Sequence, residues 1–257
     1  MNKLPVIQPL LDAQQRNISY LRVSLTDRCN YSCTYCVPAG GVTMVKRAKL
    51  LSFEEIERLV GLMAGLGARR VRLTGGEPTL RKNLPTLVAS LRAIPGIDEL
   101  AMTSNAHLLP SMAAPLAAAG LSSVNVSLDT LGEHSFAQLT VKGTIQRVIR
   151  GIDACLEAGI RVSTNAVALR GVNDKELVAL CQFAWERGIT PRFIEHMPMS
   201  GGEVFSASNH LGAAEIRQSI SEELGLTLRE LGSTHGKGPA RYWQVGESDK
   251  RFGIISA

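Results

Sequence analysis

Tyr20-Leu21-Arg22-Val23-Ser24-Leu25-Thr26-Asp27-Arg28-Cys29-Asn30-Tyr31-Ser32-Cys33-Thr34-Tyr35-Cys36 decides how the chain is read. Its first six residues alternate apolar Leu21, Val23 and Leu25 with Tyr20, Arg22 and Ser24. That is the period of a strand with one face on a core. Three cysteines follow at once, spaced C-x3-C-x2-C. If they hold a four-iron cluster, three thiolates leave one iron without a protein ligand, because each iron takes one. An open iron accepts a small molecule, which separates a reactive cluster from a sealed electron carrier.

Two other uses of cysteine compete. Structural zinc needs four protein ligands. No fourth cysteine lies close by, so His107 or His196 would have to complete a Cys3His set. A disulfide framework fits less well. Five cysteines is an odd number, no signal peptide is visible, and a chain of this size encloses a core without staples. Cys155 and Cys181 stand alone in helical patterns and read as buried apolar residues.

Working outward, strand patterns alternate with helical ones. Strands are expected over 20–25, 70–73, 100–103, 123–128, 161–169 and 191–195. The pattern Ser52-Phe53-Glu54-Glu55 is a capping box that starts a helix. Ile56, Leu59, Val60 and Met63 continue it, and Gly65 and Gly67 end it. Further helices are expected over 84–91, 111–119, 145–157, 174–185 and 213–224. Residues 227–255 read as short antiparallel strands. Strand and helix in alternation imply parallel βαβ units, so the expected fold is α/β, an open six-unit partial barrel, (β/α)6, of TIM type with a short C-terminal β extension. The expected organisation is an arm over 1–17, the barrel over 18–225 and the extension over 226–257. In such barrels chemistry sits at the carboxyl ends of the strands. The polar words Thr26-Asp27, Gly75-Gly76-Glu77, Thr103-Ser104-Asn105, Ser127-Leu128-Asp129, Asn165 and His196-Met197 all fall there.

The chain has 257 residues and a formal charge of +5. No apolar run reaches the roughly 20 residues of a membrane helix, and no basic run is long enough for a nucleic-acid stripe. Neither a membrane nor a nucleic acid is an expected partner, and with no targeting segment visible the expected location is the cytoplasm.

The cysteine spacing after a strand, with an aromatic before the last cysteine, resembles the radical S-adenosylmethionine (SAM) superfamily. Thr26-Asp27-Arg28-Cys29-Asn30, Thr74-Gly75-Gly76-Glu77-Pro78, Val124 to Asp129 and Arg192 to Met197, in that order, resemble the GTP 3′,8-cyclases of molybdenum cofactor biosynthesis. The resemblance implies one 4Fe–4S cluster on Cys29, Cys33 and Cys36, with SAM on the open iron. It implies SAM contacts from Tyr35, Gly75, Gly76, Glu77, Ser127, Asn165 and Met197. Arg22, Arg70, Arg72, Thr103 and Arg192 match positions that hold GTP. The implied reaction takes hydrogen from the ribose C3′ and joins that carbon to guanine C8, giving (8S)-3′,8-cyclo-7,8-dihydroguanosine 5′-triphosphate. An external electron donor and a homodimer are implied as well.

Three departures stand out. The family's lysine before Asn165 is Ser163 here. Its Thr-Asn-Gly word is Ser104-Asn105-Ala106, a mild change unless that residue needs positive φ. The family's C-terminal segment, with three more cysteines and a second cluster, has no counterpart after Cys181. The expectation is a chain that binds one cluster and SAM and cyclises GTP poorly. Rival readings are a radical SAM enzyme for another substrate, such as a peptide or cofactor maturase, and a non-catalytic cluster- or SAM-binding protein.

Overall fold

Strand β1 (Tyr20–Ser24) pairs in parallel with β2 (Arg70–Thr74), and the sheet runs on through β3 (Glu99–Ser104), β4 (Ser123–Ser127), β5 (Arg161–Ala168) and β6 (Thr190–Glu195), every pair parallel. The structure, a computed structural model, describes residues 10–37, 41, 43–197, 209–232 and 238–256, so 1–9 of the expected arm lie outside it. Helices α1 (Phe53–Gly65), α2 (Leu84–Ala93), α3 (Leu109–Ala118), α4 (Glu133–Thr140), α5 (Ile145–Glu157) and α6 (Leu177–Glu186) fill the crossovers. After β6 come α7 (Ala213–Leu224) and the strands β7 (Leu228–Gly232), β8 (Arg241–Val245) and β9 (Arg251–Ile255).

The sheet order is β1-β2-β3-β4-β5-β6-β9-β8-β7. The last three strands form an antiparallel meander, as their pattern suggests, but β9 also pairs parallel with β6. The barrel sheet therefore gains a seventh parallel strand from the extension. The α/β partial-barrel expectation holds.

Alternation explains the layering. Val71, Leu73, Leu100, Met102, Val124, Val126 and Phe193 point to the helical side and are buried at 0% exposure. Burying such side chains contributes about 1.5–3 kcal/mol each. The opposite face carries Arg22, Arg72, Asn125, Ser163, Asn165 and Arg192, joined across strands by the register Arg22↔Arg72, Asn125↔Ser163 and Asn165↔Arg192. A face so polar is unsuited to packing against a second apolar layer.

Local chemistry sets the helix ends. Ser52 accepts from Glu55 N–H at 3.2 Å while Glu55 accepts from Ser52 N–H at 2.7 Å, so the expected capping box starts α1. Helix α6 begins at Leu177 rather than near Asp174. Asp174 instead serves the preceding turn, accepting from Gly171 N–H, and Glu176 accepts from Thr130 Oγ1 and Leu131 N–H in the loop after β4. Among the described residues no helix is long and apolar enough to cross a membrane.

Candidate active site

The cysteine loop leaves β1 at the carboxyl end of the sheet and is fastened at several points between Thr26 and Tyr35. At its entrance, Gly76 N–H donates to Thr26 O at 2.7 Å and Glu77 N–H to Arg28 O at 2.8 Å. This approach needs glycine. A Cβ on Gly75 would stand 2.3 Å from Thr26 O, and one on Gly76 would stand 2.3 Å from Arg28 O. Gly75 also has φ +146°, a conformation that glycine adopts readily. The two glycines thus clamp the end of β2 onto the cysteine loop.

Further along, Ser32 N–H and Thr34 N–H donate to Thr140 O and Leu139 O at the end of α4. Tyr31 turns inward, 4% exposed, edge-on to Phe136 and His107. Its hydroxyl lies 3.1 Å from His107 Nδ1, and Arg147 Nη1 lies 3.2 Å from His107 Nε2. Arginine only donates, so Nε2 accepts and Nδ1 carries the proton. Burial and the neighbouring Arg147 charge hold His107 below its ordinary pKa, and burial pushes the Tyr31 phenol up to about 12. Tyr35 donates to Asp129 Oδ2 at 2.8 Å. Asp129 is buried, accepts from Val167 N–H at 2.8 Å, and is pushed up to about 6 by that burial.

Between these fixings the three thiols stay accessible, Cys29 and Cys36 exposed and Cys33 half-buried. Cys155 and Cys181 are buried fillers, as read from sequence. Among the described residues no three metal-binding side chains converge where one ion could sit. A four-iron cluster takes one thiolate at each iron, so its ligands need not meet at one point. His107 has both ring nitrogens engaged, which removes it as a fourth zinc ligand. The donor set suits a cluster. Cys29 Sγ already accepts from Tyr31 N–H at 3.4 Å, the kind of donor that stabilises a thiolate.

Glu77 is placed differently from a simple ligand contact. It is 1% exposed, and its carboxylate accepts from Thr79 N–H, Thr79 Oγ1, Ser104 Oγ and Asn105 N–H at 2.6 to 3.1 Å. Burial holds its pKa above the ordinary value, with these donors opposing the rise. Ser127, the last residue of β4, pairs with Asn165 inside β5, and Met197, 39% exposed, follows β6.

The polar face carries the basic residues. The Arg70 and Arg72 guanidiniums lie 5.6 and 6.0 Å from the Tyr20 ring centroid, and Arg72 donates to Met102 O at 3.3 Å. Arg22 is exposed beside Arg72, and Thr103 is half-buried on β3. Arg192 donates to Ser163 Oγ at 3.2 Å, and Ser163 donates to Asn125 Oδ1 at 3.1 Å. Burial lowers the Arg192 pKa. Arg192 Nε and Asn165 Oδ1, on paired strands, are buried without a hydrogen-bond partner. Such groups are costly to leave unpaired, and a bound ligand offering one acceptor and one donor satisfies both.

The sequence model of the radical SAM superfamily matches residues 23–184. The GTP 3′,8-cyclase of Pelotomaculum thermopropionicum is 42% identical over 247 residues, 96% of this chain and 76% of that protein. The GTP 3′,8-cyclase of Pseudomonas putida is 43% identical over 255 residues, 96% of this chain and 74% of that protein. The chain belongs to the GTP 3′,8-cyclase family of radical SAM enzymes. Among solved structures, Streptococcus suis SuiB bound to S-adenosylmethionine superposes with a TM-score of 0.70 at 18% identity, over 93% of this chain and 50% of that one. AdoMet-bound anSMEcpe superposes at 0.62 and 18% identity, over 80% of this chain and 56% of that one. The chain thus spans only about half of each of these structures, and the likeness bears on fold alone.

Membership gives the GTP 3′,8-cyclase family's 4Fe–4S cluster and SAM to this radical SAM enzyme. Three features of its site were not assigned from sequence. Asn105 and Asp129 stood in the polar strand-end words without a role. The Tyr31–His107–Arg147 chain left no local signal, since its members are far apart in sequence.

Proposed function

We propose that this chain is the catalytic barrel of a GTP 3′,8-cyclase acting in molybdenum cofactor synthesis. Cys29, Cys33 and Cys36 hold the 4Fe–4S cluster and leave one iron for SAM. The observation that carries this reading is the cysteine loop itself. It is clamped at its entrance, at Ser32 and Thr34, and through both tyrosines, with its thiols left accessible at the carboxyl ends of a parallel barrel. When bound, the reduced cluster and SAM supply one-electron cleavage of the sulfonium and hydrogen abstraction from the ribose.

The residues of the chain bind and orient. Gly75 and Gly76 bring the end of β2 close enough to fix the loop, and Glu77 locks that corner to β3. Ser127 and Asn165 offer polar contacts to SAM, Met197 an apolar surface for its adenine, and Tyr35 a cover at the loop. Arg22, Arg70, Arg72 and Arg192, with Thr103, present donors to the GTP triphosphate, for which guanidinium geometry is suited. Arg192 is the strongest of these anchors because it is already desolvated. Ser163, where the family has lysine, leaves one anchor fewer and holds Arg192 in place instead. An external one-electron donor and a homodimeric state complete the proposal.

Anaerobic loading with iron and sulfide, reduction, and quantification of 5′-deoxyadenosine with and without GTP is the test. GTP-stimulated release with a cyclised nucleotide is expected. Release indifferent to GTP would move the substrate to another class, and a loaded cluster that never cleaves SAM would sink the enzymatic reading.

A further inference from the structure

Asn105 is held by one backbone and three side-chain hydrogen bonds, and the three side-chain bonds leave its amide one orientation. Its backbone N–H donates to Glu77 Oε2 at 2.7 Å. Its Oδ1 accepts from His107 N–H at 3.1 Å. Its Nδ2 donates to Asn30 Oδ1 at 2.8 Å and to Cys29 Sγ at 3.8 Å. Turning the amide over would set Oδ1 against the Asn30 oxygen and the sulfur, and the NH2 against an N–H. The three side-chain contacts therefore agree on where the donor points. The base of this arrangement is buried. Glu77 is itself held by Thr79 and Ser104, so the Asn105 amide is aimed from a rigid corner rather than a loop tip.

We infer that Asn105 is a positioning residue that tunes the cluster through the Cys29 thiolate, with Glu77 as its support. This rests on the proposal that the cysteine loop holds a 4Fe–4S cluster. A hydrogen bond to a cluster sulfur stabilises the more negative, reduced state and raises the reduction potential. With Tyr31 N–H at 3.4 Å and Asn105 Nδ2 at 3.8 Å, Cys29 Sγ receives a donor from its own loop and one from the residue that follows β3. The corner of β3 thus sets how easily the first ligated iron accepts the electron. That electron must arrive before SAM is cleaved, so the effect acts on priming rather than on nucleotide binding.

The test loads the parent chain, Asn105→Ala, Asn105→Leu and Asn30→Ala with iron and sulfide and checks iron content. It then measures the cluster's midpoint potential by redox titration followed by electron paramagnetic resonance. Asn105→Ala removes the donor. Asn105→Leu keeps the volume and the backbone bond to Glu77 without a donor or a charge, so it reads the same loss if the alanine variant folds poorly. Asn30→Ala removes a partner of Asn105 and leaves the bond to sulfur. The expected result is a more negative potential in both Asn105 variants, about tenfold in the reduction equilibrium or about 59 mV for one electron, with Asn30→Ala unchanged. Unshifted potentials in loaded Asn105 variants would overturn the inference, as would an equal shift in Asn30→Ala or failure of both Asn105 variants to load. A parent chain that takes up no cluster would instead defeat the reading of the cysteine loop on which the inference rests.

Discussion

The hydroxyl of Tyr35 donates to Asp129 Oδ2 at 2.8 Å, tying the middle of the cysteine loop to the end of β4. Tyr35 stands between Cys33 and Cys36, so this bond fixes the spacing of the second and third thiols over the barrel.

That pair has a pH signature. The Asp129 carboxyl is pushed from 3.8 up to about 6 by burial. Between these values the folded state binds a proton that the unfolded state has released, so stability falls as pH rises from about 4 to 6 and is level above. Asp129→Asn removes this contribution, and its stability relative to the parent improves as pH rises through that window. Tyr35→Phe withdraws a donor from the ionised carboxylate and costs about 1–2 kcal/mol above pH 6, less below it. Urea unfolding of both variants and the parent at pH 5 and pH 8 checks the two signs.

Gly76→Ala adds a methyl group with nowhere to go. Its Cβ would meet Arg28 O at 2.3 Å and Asp27 O at 2.8 Å, both backbone atoms. A loss of about 1–3 kcal/mol is expected from overpacking, together with less iron per chain after loading. Gly61→Ala in α1 meets nothing within 4 Å. It gains about 0.5–1 kcal/mol from helix propensity. Opposite signs for the same chemical change, read by thermal melting and iron assay, are the outcome to look for.

Ala106→Gly is expected to stabilise the chain. Ala106 has φ +62°, in the left-handed region, and its carbonyl packs so closely on Gly151 that a Cβ there would stand 2.3 Å away. Relief of the strained alanine, about 1–3 kcal/mol, is opposed by the entropy of glycine, about 0.5–1 kcal/mol, and by loss of a methyl that is 0% exposed, about 0.8 kcal/mol, which leaves a small gain. The melting temperature of the variant should rise.

Arg192→Ala should weaken GTP binding about 10- to 100-fold, the loss of a desolvated charge-assisted contact of roughly 1.5–3 kcal/mol. Arg192→Lys recovers part of it, because ammonium lacks the bidentate fork. Calorimetric titration of GTP into each loaded variant gives the comparison. SAM binding that falls in step with GTP would place Arg192 elsewhere.

Much of this architecture was legible in the residues. The parallel strands declared themselves because Val71 and Leu73, or Val124 and Val126, alternate with polar neighbours. The arginines on the opposite face followed from that same alternation. Helix α4 did not declare itself, since Glu133–Thr140 is short and mostly polar. It shows its importance only by receiving Ser32 and Thr34 N–H. The pairing of β9 with β6 was also hidden, because Arg251–Ile255 has no local mark of parallel or antiparallel company. The left-handed turn at Ala106 was foreseen as a condition but not as a fact. Asn105 was quoted as part of a word, and its bond to Cys29 spans the barrel mouth, beyond the reach of any local pattern.

The partners that shape the cysteine loop all come later in the chain. Glu77, Asn105, Asp129, Leu139 and Thr140 follow the last cysteine, Cys36. During synthesis at roughly 5–20 residues per second, the three thiols therefore emerge on the order of ten seconds before their scaffold. Until Thr140 has left the ribosome and α4 has formed, they belong to an open segment exposed to oxidants and stray metals. Insertion of iron and sulfide must wait for the first two-thirds of the barrel, and the cell has to keep those sulfurs reduced in the interval.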